Sequence, residues 1–289
     1  KGIVILMHEF QRGGGSNHLL FNMTRLWQEQ GLDVRRQYGI DQREECDLLI
    51  PQINLTHRPA AYDRYIRSYP TVANAELTDI SKRRISTQLV EPGDGYDGPV
   101  IVKTDANASG HGEFRLARHR CAPWAKVRRK AGHLADRLPG QRLRWCKLLQ
   151  PYPIFDRVAD VPRGAFANPA LVIERFRPER DGRRYCVRQY FCFGDRMRHL
   201  RTASDEPYMK RAQCEIVEEG MAVPEAVLAF RRELGMDFGK IDYTMPDGPN
   251  GEAVIIDVNP NPGARGGPDR LRRSAVAIAE GVWWFLSKG

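Results

Sequence analysis

Gly239-Lys240-Ile241-Asp242-Tyr243, followed after a turn bearing Asp247-Gly248 by Ile255-Ile256-Asp257-Val258-Asn259-Pro260-Asn261-Pro262-Gly263, is the stretch on which the reading of this chain turns. Two short apolar-rich runs separated by a Gly-bearing turn read as adjacent antiparallel strands. Side chains alternate along a strand, so Asp257 and Asn259, two residues apart, share one face, and pairing of the strands brings Asp242 onto it. Two carboxylates and a neutral oxygen are the donor set that Mg²⁺ takes, with Mn²⁺ as an alternative, because such ions leave positions open for phosphate oxygens. A polar strand end closed by an Asn-Pro turn uses the same residues for local reasons. What stands upstream has to decide between the two.

Upstream there are cations at the ends of predicted strands. Val100-Ile101-Val102 is a β-branched run that delivers Lys103 to the start of a loop of small residues, Thr104 to Gly112, in which Ser109, Gly110 and Gly112 let backbone close over a phosphate. Lys82, in Asp79-Ile80-Ser81-Lys82, is a second candidate cation. The strand Ala170 to Glu174 runs into Arg175-Phe176-Arg177, a linker that can hydrogen-bond a base edge and offer Phe176 as an apolar wall. Phosphate handling needs fixed positive charge beside the metal, so these features together favour a nucleotide cleft.

In this order the residues resemble the ATP-grasp superfamily, whose members include D-alanine:D-alanine ligase, glutathione synthetase and the ribosomal-protein glutamate ligases. The resemblance spans Asn74 to Gly263. It implies an α/β (α+β) ATP-grasp fold over residues 74–289, in two subdomains hinged near 174–178. A small Rossmann-like α/β lobe over residues 1–73 would precede it. It implies that Lys82 and Lys103 contact ATP phosphates, that Glu174, Phe176 and Arg177 form the adenine hinge, and that Asp242, Asp257 and Asn259 hold Mg²⁺. Lys240 matches a position that is commonly Arg and stabilises the transferring phosphate. Departures are visible: Asp257 stands where Glu is frequent, and Lys82 lies close in sequence to Lys103. Tyr185-Cys186-Val187-Arg188 resembles the family's acid-x-Arg strand, but Arg188 lies one residue out of the usual spacing before Gly194-Asp195. Arg188 and Arg201 are candidates for phosphate or substrate carboxylate, and Glu179 and Asp181 for the ribose.

The first lobe opens on the short apolar strand Lys1 to Met7, a glycine turn, and a helix whose Leu19, Leu20, Met23, Leu26 and Trp27 follow the helical period. A dinucleotide reading of that turn fails at His18, where the fingerprint needs its third glycine. Neither that strand nor the apolar run Val276 to Leu286 is long enough to span a membrane. The six cysteines form no C-x-x-C pair, which points to reduced thiols and a cytoplasmic setting. Of the formal charge of +9, all is carried by residues 115–147, with eleven Lys or Arg against the single acid Asp136. That segment reads either as a solvated helical face or as a site for an anionic partner.

The resemblance implies an ADP-forming ligase that joins a small-molecule or peptide carboxylate to an amine through an acyl phosphate. A kinase using the same nucleotide site is the alternative within enzymes. A non-catalytic nucleotide- or RNA-binding module, motivated by the basic segment, is the alternative outside them. Substrate identity and oligomeric state are not legible from these residues.

Overall fold

The Gly2 to Met7 run forms the central strand of a three-stranded parallel sheet in the computed structural model, which describes residues 1–13, 19–135, 141–207, 214–263 and 268–288. The Gly14 to His18 part of the first glycine turn and Asp136 to Gly140 of the basic segment lie outside these residues. Strand β1 (Gly2–Met7), helix α1 (Leu19–Glu29), β2 (Asp33–Tyr38), β3 (Leu48–Pro51) and α2 (Ala60–Ile66) follow in order, and the sheet runs β2-β1-β3. Ile3, Ile5 and Ile50 pack with α1, while Val4, Leu6 and Leu49 pack with Tyr62 and Ile66 of α2. A parallel sheet covered on both faces needs continuous apolar strands, and β1 and β3 supply them. The predicted strand at Val72 contributes a single parallel bridge to Leu49.

A short helix α3 (Lys82–Ile85) leads to β4 (Val100–Thr104). After β4 come α4 (His111–Arg120), α5 (Ala122–Ala135), β5 (Ile154–Phe155), α6 (Arg163–Phe166) and β6 (Leu171–Arg175), and β5 and β6 flank β4 in an antiparallel sheet of order β5-β4-β6. The larger sheet is antiparallel, β10-β9-β8-β11-β12, from β8 (Arg184–Phe193), β9 (Arg196–Ser204), β10 (Glu215–Glu219), β11 (Phe238–Thr244) and β12 (Val254–Asn259); β7 (Glu179–Asp181) also pairs with β8. Helix α7 (Glu225–Glu233) precedes β11, and α8 (Pro268–Ala279) and α9 (Val282–Leu286) end the chain. Strands β9 and β10 were not expected: Arg196, Arg198 and Arg201 place charge on both faces of β9 and hide its alternation. The β8–β9 hairpin turns on Gly194 at φ 56°, where a Cβ would also lie 2.6 Å from the Gly281 carbonyl.

The lobes are joined by shared packing. Asn74, left-handed at φ 58°, accepts through its side-chain oxygen from the backbone N–H groups of Asp237 (2.7 Å) and Phe238 (2.8 Å), and its amide donates to the Phe238 carbonyl at 2.7 Å. Ala275, Ile278, Val282 and Phe285 pack in one cluster with Ile3, Leu20 and Trp27, and the Trp27 indole donates to the Ala279 carbonyl at 2.9 Å. The core of the first lobe is therefore completed by the last two helices of the chain.

Candidate functional site

The two antiparallel sheets face each other across a cleft of about 360 Å³. Its floor is the β11–β12 pair. Asp242 lies directly opposite Asp257 and Lys240 opposite Asn259, so all four side chains start from one face. The register shifts by one residue beyond Asp242, which lets both Ile256 and Asp257 border the cleft. The predicted shared face of Asp242, Asp257 and Asn259 is present in the strand register; Asp242 and Asp257 border the cleft, whereas Asn259 does not. Asn259 also accepts from the Asn261 backbone N–H at 2.9 Å, leaving a second lone pair on its oxygen. Among the described residues no cluster of three or more His, Cys, Asp or Glu is arranged to hold a metal. Two carboxylates and an amide are instead the sparse set that suits Mg²⁺ shared with phosphates.

Three lysines meet three carboxylates here. Lys82, at the start of α3, approaches Asp257 Oδ1 to 2.5 Å; Lys103 on β4 reaches Glu174 Oε2 at 2.6 Å; Lys240 pairs with Asp242, which also accepts from Gln189 at 3.2 Å. All three ammonium stems are at least nine-tenths buried. Burial penalises the Asp257 carboxylate, but the Lys82, Lys240 and Lys103 charges outweigh it and hold its pKa below the usual aspartate value. Lys82 is raised for the matching reason: desolvation works against its charge and Asp257 overcomes it.

Phe176 and Arg177 border the cleft beside Glu174. The Arg177 guanidinium is tied to Asp247 (2.5 Å) and Glu252 (2.9 Å), and its carbonyl accepts from Thr244 at 3.0 Å, so the linker is fastened to the β11–β12 hairpin. In the glycine loop, Ala108 and Ser109 line the cleft, while Gly110 and Gly112 do not. Ala108 (φ 47°), Ser109 (φ 58°) and Gly110 (φ 78°) are successive left-handed residues, a conformation that costs a non-glycine residue about 1 kcal/mol or more. The turn is held by Asn107 N–H to the Thr56 hydroxyl at 2.8 Å and by Ser109 to the Tyr152 hydroxyl at 3.2 Å. Gly112 has a packing role: a Cβ there would sit 2.1 Å from the Asn54 carbonyl oxygen. Gly112→Ala is expected to lower stability by about 1–3 kcal/mol, read as a lower melting temperature with nucleotide affinity retained in the folded fraction.

Arg188 and Arg201 are not brought into the cleft. Gln189, opposite Asp242, faces the cleft; Arg188, its neighbour on β8 and opposite Arg201 on β9, projects from the other face. There Glu179 accepts from Arg188 at 2.9 and 3.1 Å, from Arg201 at 2.7 Å and from the Met245 backbone N–H at 3.0 Å. Burial works against the Glu179 charge, and the two guanidinium groups and the N–H overcome it, keeping its pKa below the ordinary 4.5. Glu179 is thus engaged away from the cleft, and Asp181 lies in an exposed hairpin near Arg184 and Arg201. The offset of one residue noted at Arg188 is the signal for this, because one step along a strand reverses the face. Sequence reasoning missed Gln189, Gln88 and Tyr152, all of which line the cleft; of these, only Gln189 follows from strand alternation.

No protein-family model matches the chain, and no curated protein matches it in sequence. Its architecture is that of known structures. A RimK-domain ATP-grasp protein of Sphaerobacter thermophilus superposes with a TM-score of 0.51 at 12% identity, over 99% of this chain and 100% of that one. The VanG D-Ala:D-Ser ligase of Enterococcus faecalis gives 0.51 at 10% identity, over 100% and 98%. The ATP-grasp ligase PsnB, solved with a minimal precursor, gives 0.51 at 9% identity, over 99% of each chain. The chain has the ATP-grasp fold, as the sequence resemblance anticipates.

Proposed function

We propose that the protein is an Mg²⁺- and ATP-dependent, ADP-forming ligase that joins a carboxylate to an amine through an acyl phosphate. The observation that carries this reading is the set of three ammonium–carboxylate pairs with buried lysines, Lys82–Asp257, Lys103–Glu174 and Lys240–Asp242, converging on one cleft. Their charges cancel, and so do those of ATP and two magnesium ions, so a metal nucleotide enters without leaving uncompensated charge. Asp242, Asp257 and Asn259 would hold the metal, which would neutralise charge on the nucleotide phosphates. Lys82, Lys103 and Lys240 then exchange carboxylate oxygens for phosphate oxygens. Glu174 Oε1 and Gln88 Oε1 are buried without a hydrogen-bond partner, and they border the same cleft. Two orphaned acceptors suit the two N–H bonds of the adenine 6-amino group, with Phe176 as the apolar wall.

The chain's own residues supply alignment and charge. The substrate carboxylate attacks the γ-phosphorus, ADP leaves, and the neutral amine then adds to the acyl phosphate; the adduct gives up an N–H proton, expels phosphate and yields the amide. Lys240 would stabilise the transferring phosphoryl group, and the Ala108–Gly110 turn would exclude water from the acyl phosphate. The architecture shared with PsnB, solved with Mg and ADP at a TM-score of 0.50, supports the nucleotide part of the reading.

Lys240→Met is expected to lower kcat/KM for ADP release by about a hundredfold or more and to weaken nucleotide affinity as well, because Asp242 keeps its charge without its lysine. The check is ADP and phosphate release across a panel of carboxylates and amines. Unchanged turnover in the variant would remove Lys240 from the mechanism. A stable phosphorylated product without phosphate release would make the enzyme a kinase.

A further inference from the structure

The basic segment is not used by the cleft, yet it is built on the cleft's edge. Helix α4 begins where the strained loop ends, and its root is fixed to the first lobe: Glu113 accepts from the Thr56 backbone N–H at 2.8 Å, and the Arg115 guanidinium lies 5.7 Å from the centre of the Phe10 ring. Helix α5 packs against α4 and has no buried residue among those described. Trp124 is 67% exposed, Val127 56% and Leu134 68%, and Ala131 between them is exposed as well. Their spacings of three, four and three residues set them on one helical face, so the apolar stripe of α5 points at solvent. On the same basic segment Arg115, Arg118, Arg120, Lys126, Arg142, Arg144 and Lys147 are exposed, and its sequence also holds Arg128, Arg129 and Lys130.

We propose that α5 is a surface-attachment helix that lays Trp124, Val127 and Leu134 into the headgroup region of an anionic phospholipid layer while the surrounding cations meet lipid phosphates. The inference is independent of the proposed ligase activity. An apolar stripe bordered by Lys and Arg, on a helix far too short to cross a bilayer, is the pattern of an interfacial helix. Two other anionic partners fit less well. RNA offers base planes to Trp124 but nothing to Val127 and Leu134. The stripe runs only about 15 Å, and its three large side chains fall short of the roughly 800 Å² per partner of a stable protein interface, a minimum a lipid surface does not impose. Because α4 and α5 grow from the cleft loop, attachment would hold the cleft mouth beside the lipid surface.

The test is flotation of the full-length protein with vesicles of phosphatidylcholine alone and of phosphatidylcholine with about 30 mol% phosphatidylglycerol, at low and high salt. Binding to the anionic vesicles that weakens with salt, and falls about tenfold or more in Trp124→Ser/Leu134→Ser, is the expected result. Both positions are exposed, so that variant keeps its fold, and an unchanged melting temperature verifies this. The proposal is overturned if the wild type ignores anionic vesicles at low salt, or if binding depends on charge but not on the two apolar residues. It is also overturned if RNA or an acidic polypeptide displaces the protein from vesicles through the same helix.

Discussion

Asp257→Asn is expected to abolish magnesium-dependent ADP formation while tightening the binding of metal-free nucleotide. In the wild type Asp257 is the anion nearest Lys82 and feels Lys240 and Lys103 as well. Its neutralisation leaves three lysines facing Asp242 and Glu174, a cleft with one excess positive charge. A metal-free polyphosphate gains from that excess, whereas Mg²⁺ loses one of two carboxylate ligands. Turnover should fall about a thousandfold, and the affinities for ATP with and without Mg²⁺ should shift in opposite directions by calorimetry. Stability changes too, because Lys82 keeps a buried charge without a partner, a cost of about 3 kcal/mol. The pH window follows from the shifts. Asp257 is lowered, so its contribution is present above the ordinary aspartate value of 3.8 and disappears as pH falls through the depressed value. Lys82 is raised, so its contribution is complete below 10.5 and disappears as pH rises through the elevated value. Between those limits the variant should melt lower than wild type. Equal loss of metal-free and metal-bound affinity would sink the assignment of Asp257 as a metal ligand.

Glu179→Gln is expected to be the most destabilising single replacement around the sheet, and to act on folding rather than turnover. Its carboxylate is 5% exposed and satisfies Arg188, Arg201 and the Met245 N–H at once. Removing the charge strands the Arg188 guanidinium and leaves Arg201 only the more exposed Asp181 at 3.6 Å, at a cost of about 3–5 kcal/mol and roughly 10 °C in melting temperature. Since the Glu179 pKa is lowered in the folded state, its contribution is full above pH 4.5 and fades as pH falls through the depressed value. Wild type and variant should therefore converge in stability in strong acid. Kinetics on the folded fraction separate this role from a catalytic one: a Glu179→Gln protein that melts like wild type but has lost ADP formation would return Arg188 and Arg201 to the site.

The candidate metal positions were legible because they are local. Asp257 and Asn259 share a face through the two-residue period of a strand, and a turn bearing Asp247-Gly248 is enough to bring Asp242 alongside. The candidate nucleotide cations are legible as types, since Lys103 ends a β-branched run, but their partners are not: Lys82 meets Asp257 across 175 residues of sequence. Strand β9 escaped notice because its arginines face both a buried ion-pair cluster and solvent, and an alternation rule that equates charge with exposure reads such a strand as loop. Gly112 looked like part of a phosphate-covering loop. Its actual constraint, the Asn54 carbonyl of the first lobe, belongs to a different element.

By itself, then, the sequence determined the strand pair Gly239 to Gly263, the lysines that end elements nearby, and through them the ATP-grasp fold, because each follows from backbone periodicity over a few residues. Only the tertiary structure decided which face of β8 meets the cleft, admitting Gln189 and turning Arg188 and Arg201 toward Glu179. It also decided that α8 and α9 complete the core of the first lobe. The physical reason is the same in both cases: the side of a sheet or helix that is buried is set by which distant element competes for it, and that competition is settled between surfaces far apart in sequence.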